Sequence, residues 1–526
     1  MQIRFLLGPA GSGKTYRCLA EIREALRKEP EGPPLILLAP KQATFQLERQ
    51  LLSDPELEGY TRLRILSFER LAEFVFTDLG ITPPDLLSDV GRLMVFRALL
   101  AQKHKDLKLF HATALLPGFA RQVSQQIREF QRHGLTPAGV ACLAGQGGLR
   151  PELQSKLQDL ALLFEAYFSW NSEHQLRDLY CLPDLAAEVL NKTPANPKDN
   201  SSRSQACELG GLWLDGFAEM TGQELNLLAA ILPRCEQATL AFCLDAAPAK
   251  AGRPESWLSP WSTLRATFEE CRERLMTVPG ATCSVEKLPR DRKRSRFSAS
   301  PVLAHLEKYW GDVTPFKNLD GPATEDSLQI VACPNPEGES THAAREILRF
   351  VRKGGRYREA AVIVRNLETF QEPVARALRQ FQIPFFVDQR QPAAHHPLAE
   401  LTRCALRTVL FDWQHEDWFG ALKTGLLPAD EAELDWLENE ALARGWKGQA
   451  WQAPLRIEGN PDLEKRLETL RKKVVGPLAR FQNRIAGHSA RPNGPQLAEC
   501  IHGLWADLDI ESQLERSDSV DATVWD

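Results

Sequence analysis

Residues 5–18 read FLLGPAGSGKTYRC: an apolar run, three glycines, a lysine and a threonine, then a return to helix-like spacing. Gly8, Gly13, Lys14 and Thr15 satisfy GxxxxGK[ST], placed after a strand-like run and at the start of a helix-like one. The chemistry asks for these residue types. Glycines, Gly11 among them, let the backbone wrap closely round phosphates, and the loop N–H groups and helix start supply positive potential. Lys14 can neutralise the outer phosphates, and Thr15 can offer a hydroxyl to Mg²⁺. The stretch therefore predicts an ATP site served by Gly8, Gly11, Gly13, Lys14 and Thr15, with ATP and Mg²⁺ as ligands.

Working outward, IRFLLG (3–8), LILLAP (35–40) and LRILSF (63–68) alternate with helix-like KTYRCLAEIREALRK and ATFQLERQLL. Continuous apolar strands separated by crossover helices predict a parallel sheet covered on both faces. The fold class is α/β: a P-loop NTPase (RecA-like) sheet domain begun by residues 1–88. From 89 to 205 the strand signal gives way to amphipathic runs such as GRLMVFRALLAQ and LQSKLQDLALLFEAYFSW, a large helical insert that closes on the polar NKTPANPKDNSSRSQ (191–205). Strands return in 206–325 with GLWLDGF (211–217) and ATLAFCL (238–244), the second part of the sheet domain. The basic PRDRKRSRF (289–297) and turn-rich KNLDGPATEDS (317–327) lead to LQIVACP, AAVIVRN and IPFFVD, which predict a second, partial α/β domain over 326–395. The remaining 396–526 read as a helical extension.

A phosphate loop alone fits kinases, GTPases, ATPases and helicases, so a second motif must narrow the choice. Asp215 ends the apolar strand LWLD and is placed to hold Mg²⁺ through water. Hydrolysing enzymes follow that aspartate with a glutamate that orients the attacking water, whereas this chain has Gly216; Glu219 and Glu224 lie further along. Nucleotide binding is expected and rapid hydrolysis is not; no residue is assigned a catalytic role.

The 526 residues, 43% hydrophobic and 25% charged, suit a multidomain globular protein, and a formal charge of −5 neither favours nor excludes nucleic acid. Eleven cysteines, without one CxxC pair, fit free thiols, and no run of about 18 apolar residues is present; a cytoplasmic location without membrane contact is expected. His395 and His396 lack metal-ligand spacing, and the tryptophans at 413, 418, 436, 446 and 451 read most simply as core.

Taken in order, FLLGPAGSGKT, APKQATFQLERQL, RILSFERLAEFVF, FARQVSQQIREFQRHGL, KLQDLALLFEAY, LDGFAEMTGQE, the long REAAVIVRNLETFQEPVARALRQFQIPFFVDQRQPAAHHPL and ELDWLENEALARGWKGQAW resemble the AddB (RexB) family of bacterial ATP-dependent helicase–nucleases, whose amino-terminal part looks like a UvrD-type helicase. The resemblance implies a role in processing DNA double-strand breaks for recombinational repair, as a heterodimer with an AddA-like helicase–nuclease partner, on duplex ends and single-stranded DNA. It places Lys41, Gln42, Thr44, Ser67 and Phe68 where such helicases touch a DNA strand. Capping and packing are the alternative for these five. Arg365 matches the arginine that reaches from the second motor domain toward the γ-phosphate.

Departures accompany the match. Val364 stands where an aromatic residue often precedes that arginine, and no upstream glutamine segment precedes the first strand. The family's carboxy-terminal nuclease and the cysteines of its iron–sulfur cluster have no counterpart here; PDLEK (461–465) compresses the needed carboxylates and lysine into one helical stretch. The chain ends at VDATVWD where the family continues, which suggests a fragment or truncated gene product. The leading reading is a nucleotide- and DNA-binding AddB-type chain with weak or no ATP hydrolysis. An active ATP-driven translocase is the alternative, and a small-substrate phosphotransferase a third.

Overall fold

The computed structural model describes every residue except 56, 58, 117, 194–206, 246–258, 260, 292, 294, 312–313, 317–326, 388–395, 458 and 516–526. It divides into two compact units, 1–331 and 332–526.

In the first unit the chain runs β1 (Gln2–Leu7), α1 (Lys14–Lys28), β2 (Leu35–Leu38), α2 (Thr44–Leu51), β3 (Leu63–Leu66) and α3 (Phe68–Asp78). Next come β4 (Leu86–Leu87), α4 (Asp89–Lys103), α5 (Phe119–Arg132), α6 (Pro137–Ala144), α7 (Pro151–Glu173), β5 (Arg177–Asp178) and α8 (Leu182–Lys192). β6 (Gly211–Leu214), α9 (Gly222–Ile231), β7 (Gln237–Phe242), α10 (Ser262–Met276), β8 (Thr282–Lys287) and α11 (Pro301–Lys308) complete it.

Six strands form one sheet in the order β3-β2-β6-β7-β1-β8, and every pairing is parallel. Five of these strands are the apolar runs marked in the sequence. The sixth, TCSVEK in β8, gave no such signal, because an edge strand with one neighbour needs no apolar face on its exposed side. Alternation along the strands sorts side chains to two cores. Ile3, Phe5, Leu7, Ile36, Leu38, Leu212 and Leu214 face α3, α8, α9 and α10. Leu6, Leu35, Leu37 and Trp213 face α1 and α2. At about 1.5–3 kcal/mol per fully buried large apolar side chain, these two layers dominate the unit's stability.

One carboxylate sits in that otherwise apolar second layer. Glu21 of α1 accepts from Arg4 of β1 at 2.5 Å and from Trp213 Nε1 of β6 at 3.1 Å; Thr239 of β7 donates to it at 3.3 Å, and Arg17 at 2.9 Å. Three strands are thereby tied to the helix that follows the glycine-rich loop.

The inserted helices build their own core from Val95, Phe96, Leu99, Val123, Ile127, Leu163 and Phe164. α8, expected with them, packs instead into the sheet's core through Leu182, Ala186 and Leu190. Within the insert, Arg92 is buried against the carboxylate of Asp178, which also accepts from Tyr167 at 2.9 Å.

The second unit holds α12 (Pro336–Arg352), α13 (Leu367–Gln380), α14 (Pro397–Leu410), α15 (His415–Leu422), α16 (Glu431–Arg444), α17 (Pro461–Gly487), α18 (Gly494–Asp507) and α19 (Ile510–Glu515). Trp413, Trp418 and Trp451 lie fully buried in its helical core, in keeping with the packing role their pattern suggested. Here the expectation of a second sheet fails: among the described residues no strand follows β8. The runs at 328–334, 360–364 and 383–387 are extended without a backbone ladder. A strand exists only through its hydrogen-bonded partner. Ile330, Ile363 and Phe386 are accordingly 93%, 93% and 89% exposed.

Removing one member of a buried ion pair strands the other. Arg92→Ala is expected to destabilise the inserted helices by about 3–5 kcal/mol, whereas Arg92→Met with Asp178→Leu recovers most of that loss. Urea unfolding followed by circular dichroism checks both; equal stability of Arg92→Ala and the parent would remove this role.

Candidate nucleotide site

The parallel register brings the carboxyl ends of β1, β2 and β6 to one edge of the sheet, with Leu38 opposite Leu214 and Leu7 opposite Phe242. Three loops meet there. Residues 8–13 leave β1 with Gly11 at φ +73° and Gly13 at φ +93°, conformations glycine adopts without a Cβ penalty. Gly13 caps α1, whose first turn carries no acidic residue, so the helix start keeps its positive potential.

Lys14 Nζ donates to the carbonyls of Gly8 at 2.7 Å and Pro9 at 2.8 Å, folding across the loop. Thr15 donates to Asp215 Oδ2 at 2.5 Å. Asp215 is buried at the end of β6, and burial pushes its carboxyl above the usual carboxylate range, an effect that Thr15, Lys14 and the Gly216 N–H oppose. The Ser12 hydroxyl, buried within the loop, has no partner among the described residues. Donors gathered without an acceptor of their own fit an anion, and the hydroxyl–carboxylate pair fits a divalent cation beside it.

The structure thus brings Gly8, Gly11, Gly13, Lys14, Thr15 and Asp215 together. It also adds a residue that the sequence did not single out. The basic stretch 289–297 returns from β8 across the loop: Arg296 N–H donates to Gly11 O at 3.3 Å, and a Cβ on Gly11 would lie 3.0 Å from that of Arg296. Arg296 lines the same cavity as Lys14, Thr15 and Asp215, and it is exposed. A run of arginines and lysines reads as solvated surface, and only the edge position of β8 turns it inward.

Gly216 has φ +89°, and a Cβ there would lie 3.1 Å from Pro40 Cδ. The glutamate absent from this position could not be accommodated without moving that loop. Glu224 is occupied as the N3 partner of a capping box with Thr221, and Glu219 is exposed.

The five residues marked for DNA separate. Lys41 and Gln42 are exposed on a single turn between β2 and α2, beside the nucleotide edge. The Thr44 hydroxyl donates to Lys41 O at 3.0 Å. Ser67 caps α3 by accepting from Arg70 N, and Phe68 is buried edge-on against Phe217 at 5.2 Å, which leaves its ring no face for a base. Arg365 belongs to the second unit, exposed just before α13. His396 caps α14, and His395 lies outside the described residues. Among the described residues no group of three or more His, Cys, Asp or Glu gathers as a metal site, and no described helix is long and apolar enough to cross a membrane.

The raised Asp215 pKa fixes a sign. In the folded chain this group keeps its proton to higher pH than in the unfolded chain, so stability falls as pH climbs from about 4 through the raised value. Without nucleotide or Mg²⁺, Asp215→Asn is expected to melt above the parent at pH 7, with the gap closing near pH 3; melting curves across that range check it.

A family model described as "ADDB, N-terminal" matches residues 5–307. Over 98% of its length the chain is 34% identical to the AddB-type component of the ATP-dependent helicase/deoxyribonuclease of Desulforudis audaxviator and 35% identical to that of Symbiobacterium thermophilum. It spans 44% of each of those relatives. With the loop, the strand-end aspartate and this match in place, the chain belongs to the AddB family.

Proposed function

We propose that this chain is the helicase-like, nucleotide-binding part of an AddB-type component of a helicase–nuclease. In this reading it holds Mg²⁺–ATP on the 8–15 loop of a P-loop NTPase sheet and passes single-stranded DNA over Lys41 and Gln42. It works with an AddA-like partner on duplex ends during recombinational repair, and it hydrolyses ATP slowly or not at all. The observation that carries the reading is the pairing of a complete phosphate-binding loop with the left-handed, crowded position of Gly216.

Each residue's task follows from its present contacts. Lys14 exchanges the carbonyls of Gly8 and Pro9 for phosphate oxygens, acceptors of higher charge at the same reach. Thr15 and Asp215 supply a hydroxyl and a carboxylate to the cation, whose charge would offset that of the phosphates. Arg296 adds a guanidinium from the segment that crosses Gly11. Nothing then orients water: the backbone after Asp215 carries no side chain, and Glu224 is held in its cap. The site is suited to sensing nucleotide more than to consuming it.

Purified chain is expected to bind ATP with Mg²⁺, to lose that binding at least about 10-fold on Lys14→Ala, and to show negligible ATP turnover with or without DNA. Gly216→Glu is expected to lower stability without creating turnover. Robust DNA-stimulated hydrolysis abolished by Lys14→Ala would instead establish a working translocase.

A further inference from the structure

The cavity at the glycine-rich loop, about 640 Å³, does not end at the phosphates' expected position. It continues between α1 and α2, with Tyr16, Leu19 and Arg23 on one wall and Gln46, Leu47 and Gln50 on the other. Leu19 and Leu47 are buried and form an apolar floor. Arg23 is engaged by the carbonyls of Gln50 at 2.6 Å and Leu51 at 3.2 Å, which closes the far end.

Tyr16 stands at the mouth, one residue past Thr15. It is 72% exposed on a helix whose Cys18, Leu19 and Ile22 are buried, so it contributes little to the core. An aromatic face held next to a phosphate loop is suited to stacking. Opposite it, Gln46 and Gln50 lie four residues apart on α2 and share one exposed face. A glutamine amide can donate to N7 and accept from N6 of adenine, whereas guanine offers acceptors at both places.

We propose that Tyr16 is the shelf on which the purine of a nucleoside triphosphate stacks, with the amides of Gln46 and Gln50 selecting adenine over guanine. This rests on the nucleotide reading of the loop. Val364, aliphatic and in the second unit, offers no stacking face; Tyr16 and the α2 amides provide base contacts from within the sheet domain itself.

Calorimetric titration of the purified chain with ATP, GTP and inorganic triphosphate, all with Mg²⁺, separates the two layers of inference. Tyr16→Ala is expected to lower the ratio of ATP affinity to triphosphate affinity by about 10-fold, and Tyr16→Phe to keep it. Gln46→Ala with Gln50→Ala is expected to erase the preference for ATP over GTP. Should Tyr16→Ala bind ATP like the parent while Lys14→Ala loses both ATP and triphosphate, the shelf is wrong and the loop reading stands. Should the parent bind neither ligand, the loop reading fails and takes the shelf with it.

Discussion

A hydroxyl and a carboxylate 2.5 Å apart, Thr15 and Asp215, join positions 200 residues distant in the chain. Their meeting depends on a parallel sheet in which β1 and β6 end on the same edge with only β7 between them. Were the sheet antiparallel, the loop after β1 and the aspartate after β6 would lie at opposite ends. Everything assigned to the site follows from that one geometric constraint. The glycines shape the approach, the lysine bridges it, and the inserted helices between β3 and β6 leave the edge intact because they carry a core of their own.

Much of this could be seen in the sequence, for identifiable reasons. A sheet covered on both faces writes itself as continuous apolar runs, and a phosphate loop is local, so neither needs tertiary information. Arg296 is the counterexample. Its neighbours are charged and its segment has no periodicity, yet β8 adds to the free side of β1, and the chain leaving β8 crosses Gly11. Ser67 and Phe68 err in the other direction: their positions match a DNA-contacting stretch, but a cap and a core ring satisfy them locally.

The second half shows where pattern reading runs out. LQIVACP, AAVIVRN and IPFFVD have the composition of strands, and composition says nothing about whether a neighbour is present to complete the ladder. The helices α12 and α13 still pack on each other through Ala344, Ala377, Leu378 and Ile383. Helices close their own backbone hydrogen bonds and strands do not, which is why one element type appears here without the other. The apolar side chains left in solvent, Ile330, Ile363 and Phe386, are large for a protein surface and mark these runs as interaction-prone.

The Glu21 network bears on how such a site could signal. Because one carboxylate grips β1, β6 and β7 at once, tilting α1 would break contacts with Arg4, Trp213 and Thr239 together. The first helix is therefore a fixed post, bolted to the sheet. Mechanical response to arrival or departure of a ligand must pass through whatever is not bolted, and the Arg296 strap, tied to Gly11 by a single long backbone hydrogen bond, is the slackest component at that edge.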